Sequence, residues 1–254
     1  MALTERQKNI LKALITTYIE KAEPVSSQFL EKSFDFDVCS ATIRNEMLDL
    51  TKKGYLYQPH TSAGRVPTSK AYRFFVEELM DLKDIELTER ELRGFLEKIR
   101  ERIFDKGGAE TEMLRFFQDL DRTLSKITSS LAFSYFLECN FAIKEGWEEL
   151  MKEPEFEERE MIDEFIALVN RLEKRLKEVV SKEKELEESG YKIYIGKENP
   201  FLKTDNFTII VGKIDLPLKY ERERSVFGIL GPKRMDYQRG LGSVLSVLKI
   251  FNQR

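Results

Sequence analysis

The sequence has 254 residues, of which 41% are hydrophobic and 34% are charged, and its formal net charge is −3. A chain of this length and balance is that of a folded protein with two or three domains, and it excludes a membrane-embedded or fully disordered one. The apolar runs are shorter than the roughly 20 residues that span a bilayer, and the first residues interleave charges where an export signal would be apolar. We therefore expect a cytoplasmic protein without a membrane partner.

Histidine and cysteine are scarce, which limits the chemistry that the chain can carry. His60 is the single histidine, and Cys39 and Cys139 lie a hundred residues apart without a second cysteine nearby. This pattern gives neither a zinc site nor a disulfide framework, and it favours buried free thiols. The sequence also lacks a P-loop, a GxGxxG motif and a GxSxG motif. We expect no catalytic residues, no metal and no cofactor, and hence no enzyme.

The first fifty residues predict three helices. Thr4 and Gln7 have the spacing of a capping box, and an apolar stripe follows them to about Lys21. A shorter helix follows Pro24 and ends near residue 33. A third helix begins at Ser40, whose hydroxyl can cap the free N–H groups, and it ends before Gly54, where a left-handed C-cap is favoured.

A hairpin and another helix come next. Residues 55–58 alternate as a strand does, residues 59–65 form a turn-rich loop, and Val66 begins the return strand. A further helix starts near Thr68. Three helices followed by a two-stranded hairpin are typical of a winged helix-turn-helix, in which the loop of the hairpin is the wing.

Charge is distributed unevenly along the chain. Residues 1–76 carry eleven basic and eight acidic residues, while the remainder carries thirty-one basic and thirty-seven acidic ones. Between Val38 and Val76 there are six basic residues and two acidic ones. A local excess of basic residues is compatible with nucleic-acid binding, although on charge alone a solvated surface explains it equally well.

The first turn of the third helix provides the candidate base contacts, because that turn faces the major groove in a helix-turn-helix. Ser40, Thr42 and Asn45 can donate and accept hydrogen bonds, Ala41 can contact a thymine methyl group, and Arg44 can pair with guanine. Ser40 as a simple helix cap and Arg44 as an ordinary surface residue remain open alternatives.

The wing provides a second set of candidates. His60, Thr61 and Arg65 can donate hydrogen bonds to phosphates, and the small residues Ser62, Ala63 and Gly64 allow a close approach of the backbone. Arg65 can instead enter the minor groove, and His60 can be a residue of the turn without a DNA contact.

The rest of the chain predicts a helical middle and a mixed C-terminal part. Residues 129–136 are either a buried strand or a short buried helix. Residues 148–188 are helical, and their narrow apolar stripe suits either packing on their own domain or a partner helix. The other predicted elements are a helix over 87–102, a linker at 105–109, a helix around 113–124, strands at 191–195, 207–211 and 225–230, and a helix over 236–251.

Two blocks of sequence resemble a known family. Residues 39–47, followed by GYLYQPHTSAGRVPT at 54–68, resemble the N-terminal motif of the HrcA heat-inducible transcription repressors. IGKENP at 195–200 and GILGPKRMDY at 228–237 resemble the C-terminal segments of that family, and residues 145–156 fit more loosely. The blocks occur in order at both ends of the chain, so a chance match of one loop does not explain them.

The resemblance implies a function and a domain plan. It implies a homodimeric repressor of class I heat-shock operons that binds an inverted-repeat operator in double-stranded DNA, is kept active by the GroE chaperonin and is released on heat stress. The expected fold class is α+β. The resemblance implies a winged helix-turn-helix at 1–82, followed by a helical linker and the start of a GAF-like effector domain at 83–136. A helical segment and candidate dimerisation element follows at 137–190, and the C-terminal α+β part of the GAF-like domain occupies 191–254. The middle is short, with few strands between Leu137 and Gly190.

Three alternatives stay open at this point. The chain could be a winged-helix regulator that responds to a small molecule held by its C-terminal domain. The winged helix could instead be a protein-interaction module without an operator, or the C-terminal domain could be an enzyme. Ligand-dependent operator release would identify the first alternative, the absence of salt-sensitive DNA binding the second, and a catalytic constellation the third.

Overall fold

The computed structural model describes residues 2–80, 85, 88, 90, 92–98, 110–182, 184–217 and 222–252. Its contacts divide the chain into two units, residues 1–80 and 81–254. Within these described ranges, no helix has the length and apolar character to span a membrane, and no three His, Cys, Asp or Glu side chains are grouped so that they could hold a metal ion.

The first unit begins with three helices, α1 (Glu5–Lys21), α2 (Ser27–Ser33) and α3 (Ser40–Lys52). The predicted capping box is confirmed, because the Thr4 side chain accepts a hydrogen bond from the Gln7 N–H and the Gln7 side chain accepts one from the Thr4 N–H. The predicted cap at Ser40 is wrong. The N-cap of α3 is Cys39, which makes no side-chain cap bond.

A short hairpin and a fourth helix complete the first unit. Strands β1 (Leu56–Tyr57) and β2 (Val66–Pro67) pair antiparallel, as the sequence predicts. Helix α4 (Ser69–Phe74) follows and continues as a π-helical turn at Phe75–Leu79. Apolar side chains from all four helices and from both strands are buried in this unit's core; they include Ile10, Leu14, Leu30, Ile43, Leu50, Leu56, Val66 and Tyr72.

The second unit is built on a five-stranded antiparallel sheet. Its strands are β3 (Leu131–Phe136), β4 (Phe141–Glu145), β5 (Tyr191–Ile195), β6 (Phe207–Pro217) and β7 (Arg222–Pro232), arranged in the order β4-β3-β7-β6-β5. The alternative left open for residues 129–136 is therefore decided in favour of a strand. The middle of the chain is not entirely helical, because β4 lies within the segment 137–190 that was expected to be helical; the strand precedes the helix predicted over 148–188.

Helices cover both faces of this sheet. Those of the second unit are α5 (Glu110–Thr128), α6 (Trp147–Leu150), α7 (Arg159–Lys182), α8 (Lys184–Ser189) and α9 (Tyr237–Asn252), with 3₁₀ turns at Pro154–Glu157 and Gly196–Glu198. The narrow apolar stripe of α7 packs into the core on one face, which accords with packing on its own domain. Phe117 of α5 contacts Phe136 on the other face, where α9 also packs against β6.

The predicted α+β class, with a winged helix followed by a sheet domain, is confirmed. The predicted burial of both cysteines is wrong, since Cys39 and Cys139 are exposed. Residues 92–98 are helical, within the helix predicted over 87–102, while the ends of that helix and the linker predicted at 105–109 lie outside the described residues.

The two C-terminal sequence motifs lie at one end of the sheet, where β5 and β7 end and β6 begins. In the first motif, the Ile195 N–H donates to the Glu198 carboxylate at 3.0 Å. In the second, the largely buried Arg234 forms ion pairs with Glu153 and Glu155, and the Tyr237 hydroxyl donates to the Lys233 carbonyl at 2.6 Å. These contacts give the motifs a structural role.

One carboxyl group is buried in the second unit. Asp121 of α5 has no exposed surface, and its Oδ1 atom accepts a hydrogen bond from the Ser134 hydroxyl of β3 at 2.8 Å. Its Oδ2 atom is buried and has no partner among the described residues. Desolvation raises the pKa of Asp121 well above its usual value, and the negative charge of Glu145 raises it further. The ionised form of this residue is therefore unfavourable in the folded protein.

Candidate nucleic-acid interface

Helices α2 and α3 form the helix-turn-helix, and α2 supplies the contacts that fix the start of α3. The Glu31 carboxylate of α2 accepts a hydrogen bond from the Ser40 N–H at 2.9 Å, and the Ser27 and Ser40 hydroxyls lie 3.3 Å apart. A carboxylate here satisfies one of the free N–H groups of α3 and interacts favourably with the helix dipole. Ser40 therefore has partners inside the protein through both its backbone and its hydroxyl.

A polar network connects α3 to α1. The Gln7 side chain, which is 5% exposed, donates to the Glu46 carboxylate at 2.9 Å and accepts from the Lys53 ammonium at 2.7 Å. Ile43 and Leu50 on the same helix are fully buried. This combination of core packing and partly buried hydrogen bonds fixes the rotation of α3 about its axis, and so decides which side chains face outward.

The outward face of α3 carries several of the predicted base contacts. Ala41, Arg44 and Asn45 are exposed, whereas Thr42 is half-buried and its hydroxyl lies 3.5 Å from the Cys39 sulfur. In the described part of the chain, the Arg44 and Asn45 side chains make no hydrogen bond or ion pair. Both are therefore available to a ligand that approaches this face.

The wing has an ordered loop. The Ala63 N–H donates to the His60 carbonyl at 2.9 Å, which closes a tight turn, and His60 Nδ1 lies 3.2 Å from the Ser62 hydroxyl. The Gln58 amide nitrogen donates to the carbonyls of Thr61 at 3.0 Å and Ala63 at 2.8 Å. The tip residues His60, Thr61 and Ser62 are exposed.

The end of the wing loop is attached to the segment before α2. Val25 and Arg65 exchange two backbone hydrogen bonds, of 3.0 and 2.8 Å, as an isolated antiparallel bridge. Gly64 lies so close to this segment that a Cβ atom would come within 2.4 Å of the Val25 carbonyl oxygen and 2.6 Å of that of Pro24. Gly64 thus serves a close contact within the protein, a role that its sequence context did not indicate.

Helix α3, which is the second helix of the helix-turn-helix and hence its recognition helix, lines one groove of about 570 Å³ together with the wing. It brings together seven of the ten predicted contact residues, namely Ser40, Ala41, Arg44, Thr61, Ser62, Gly64 and Arg65. Thr42, Asn45 and His60 are not among the residues that line it. The groove also includes Ala63, which the sequence placed in the wing, and residues that sequence reasoning missed: Ser26, Ser27, Gln28, Met47, Leu48 and Gln58.

The basic residues of this region differ in how they are used. Four of the six between residues 38 and 76 have partners within the first unit: Lys52 with Asp49, Lys53 with Gln7, Lys70 with the Lys53 carbonyl and the Tyr55 ring, and Arg73 with Glu77. The other two are Arg44 and Arg65, whose guanidinium groups have no partner among the described residues. Both line the groove, so the two guanidinium groups that lack a partner among the described residues lie there together.

An exposed thiol adjoins the groove at the N-cap of α3. The Thr42 hydroxyl and the backbone N–H groups of Thr42 and Ala41 lower the pKa of Cys39 below its usual value. Donors at a helix start stabilise the thiolate in this way. Nothing in the sequence pattern distinguished this cysteine from a buried one.

Comparison with known proteins gives matches at both ends of the chain. A family model described as "Winged helix-turn-helix transcription repressor, HrcA DNA-binding" matches residues 2–81, and one described as "HrcA protein C terminal domain" matches residues 69–240. The heat-inducible transcription repressor HrcA of Thermodesulfovibrio yellowstonii is 29% identical, with 94% of each chain covered. That of Natranaerobius thermophilus is 28% identical, with 97% of this chain and 95% of its own covered.

A solved structure has a similar fold. The crystal structure of a hypothetical protein at 2.2 Å resolution superposes with a TM-score of 0.61 and covers 99% of this chain and 97% of its own. It is 20% identical in sequence, so the likeness concerns the fold alone.

Proposed function

The chain belongs to the HrcA family of heat-inducible transcription repressors, and from that premise we propose that it represses class I heat-shock operons, which encode chaperones, by binding an operator in double-stranded DNA. A repressor of this kind acts in the cytoplasm and needs no catalytic group.

The groove between α3 and the wing is the observation that carries this proposal. An α-helix fits the major groove of DNA, and an adjacent wing contacts the backbone next to it. Arg44 lies on the exposed face of α3, is unpaired among the described residues and can make the bidentate contact with guanine. Thr61, Ser62 and Arg65 lie across the groove, where phosphate contacts would be made.

We propose further that the repressor acts as a homodimer on an inverted repeat. Two recognition helices related by a two-fold axis contact two half-sites about one helical turn apart, which is why such operators are palindromic. Phosphate contacts at both half-sites release counterions, so the affinity for the operator falls steeply as the salt concentration rises.

Release on heat stress is the third part of the proposal, and the GroE chaperonin is its partner. A chaperonin that binds non-native chains refolds the repressor while it has free capacity. During heat stress other unfolded proteins occupy the chaperonin, and by mass action the fraction of active repressor falls.

The test is an operator titration with purified protein, before and after a heat pulse, with and without GroE. We expect salt-sensitive binding that is lost after heating and recovered faster with chaperonin. Recovery that is unaffected by chaperonin would contradict the proposal that GroE is a partner. Release by a small metabolite without heating would support the alternative, a regulator that responds to a small molecule. DNA binding that is absent or insensitive to salt would contradict the repressor itself.

A further inference from the structure

Gln58 occupies a particular position between the first strand of the wing and its loop. It follows β1 directly, it is half-buried, and it lines the groove. Its amide nitrogen spans the loop to the carbonyls of Thr61 and Ala63. Because carbonyl oxygens only accept hydrogen bonds, these two partners require the nitrogen of the amide, and they use both of its protons.

Different contacts therefore fix the two ends of the wing loop, residues 58–65: the end that follows β1 and the end that precedes β2. The far end is held by the bridge between Val25 and Arg65, which attaches it to the segment before α2. The near end is held by Gln58, which attaches the turn at His60–Ala63 to the end of β1. An eight-residue loop that is fixed in this way keeps one conformation, although its tip is exposed.

We propose that Gln58 is a positioning residue for operator binding, which holds the tip of the wing in its binding conformation before DNA arrives; this inference rests on the proposed function. An ordered loop loses less conformational entropy on binding than a mobile one, and the smaller entropic cost increases the affinity. Gln58 acts through His60, Thr61 and Ser62, and no contact of its own with DNA is required.

The test compares Gln58→Ala and Gln58→Glu with the wild-type chain. The alanine removes the two hydrogen bonds. The glutamate keeps the shape but offers acceptor oxygens to two carbonyls, so it disrupts the loop as well. We expect operator affinity to fall about tenfold in the alanine variant, as the loss of two net hydrogen bonds implies, and further in the glutamate variant, whose added negative charge in the groove also repels phosphates. Gln118→Ala is the matched control, because Gln118 is an exposed glutamine of α5, in the second unit.

Two further readouts distinguish positioning from a general loss of structure. Amide hydrogen exchange without DNA should become faster at Ala63, whose N–H donates within the turn, and should stay unchanged in α3. In double-mutant cycles, Gln58→Ala should be coupled to His60→Ala at the tip and additive with Arg44→Ala on the recognition helix.

The outcomes are separable. Faster exchange at the tip with unchanged affinity would overturn the proposal, and so would exchange that stays slow at Ala63 in both variants. Additive effects with His60→Ala, together with coupling to Arg44→Ala, would also contradict it. If the wild-type chain binds no operator, the proposed function fails, and exchange at Ala63 still reports whether Gln58 holds the loop.

Discussion

Gly64→Ala is expected to disrupt the attachment between wing and helix-turn-helix. The new Cβ atom would lie 2.4 Å from the Val25 carbonyl oxygen, while ordinary contacts begin at 3.4 Å, so the two backbones must separate by about 1 Å. The bridge hydrogen bonds of 2.8 and 3.0 Å would then exceed hydrogen-bonding distance. Two lost hydrogen bonds and the local strain together cost about 3 kcal/mol of stability in the first unit.

Gly54→Ala is the matched control, because Gly54 has a left-handed φ of +79° and no atom within 4 Å of its added Cβ. It should cost about 1 kcal/mol, from backbone strain alone. Urea unfolding followed by circular dichroism measures both variants in the full chain. The single tryptophan, Trp147, lies in the second unit, so its fluorescence reports that unit separately. A loss at Gly64 no larger than that at Gly54 would refute the reasoning.

Three other predictions follow from the same structure. Arg44→Ala should weaken operator binding by about 1–3 kcal/mol in a gel-shift titration, while Lys52→Ala, which removes a charge already paired with Asp49, should change it by less than about 0.5 kcal/mol. Gln7→Ala should destabilise the first unit by about 2 kcal/mol in urea unfolding, because it leaves its polar partners unsatisfied in a partly buried network. Asp121→Asn should raise the thermal midpoint of the Trp147 fluorescence transition at neutral pH, by about 3 °C per kcal/mol gained.

The pH dependence of the Asp121 effect has a definite sign. Desolvation raises the pKa of this carboxyl in the folded state, so the folded protein binds the proton more tightly than the unfolded one. The wild-type protein is therefore expected to lose stability as pH rises from the unfolded pKa, near 3.8, through the folded one. Asp121→Asn should remove this part of the pH dependence, and an unchanged slope would show that Asp121 does not cause it. For the Arg44 prediction, an equal loss of operator affinity in Arg44→Ala and Lys52→Ala would contradict the assigned base contact. For the Gln7 prediction, an unchanged urea midpoint of Gln7→Ala would contradict the role of its hydrogen bonds.

Much of the winged helix could be predicted because its determinants are local. The capping box at Thr4 and Gln7 and the turn residues of the wing act over a few positions, and periodicity revealed the helices. The N-cap of α3 was misplaced by one residue, at Ser40 in place of Cys39, because serine is favoured at N-caps. The contact at this end comes instead from the distant Glu31 carboxylate, which accepts from the Ser40 N–H.

The features that local pattern could not reveal depend on long-range contacts. Strand β4 has no clear alternation, since it lies at an edge of the sheet and its Phe141 is exposed. The bridge between Val25 and Arg65 joins segments forty residues apart, and only that contact explains why Gly64 must be a glycine. The sequence also could not show which basic residues are free to contact DNA, because partners within the protein, such as Gln7 for Lys53, come from distant helices.

A quantitative footprint on the promoters of chaperone operons, titrated at several salt concentrations with the wild-type chain and Arg44→Ala, tests the central claim most directly. The account predicts protection of both arms of an inverted repeat by the wild-type chain, weakening steeply with salt, and a loss of protection at matched concentrations in the variant. Uniform, sequence-independent protection, or equal protection by the two proteins, would contradict it.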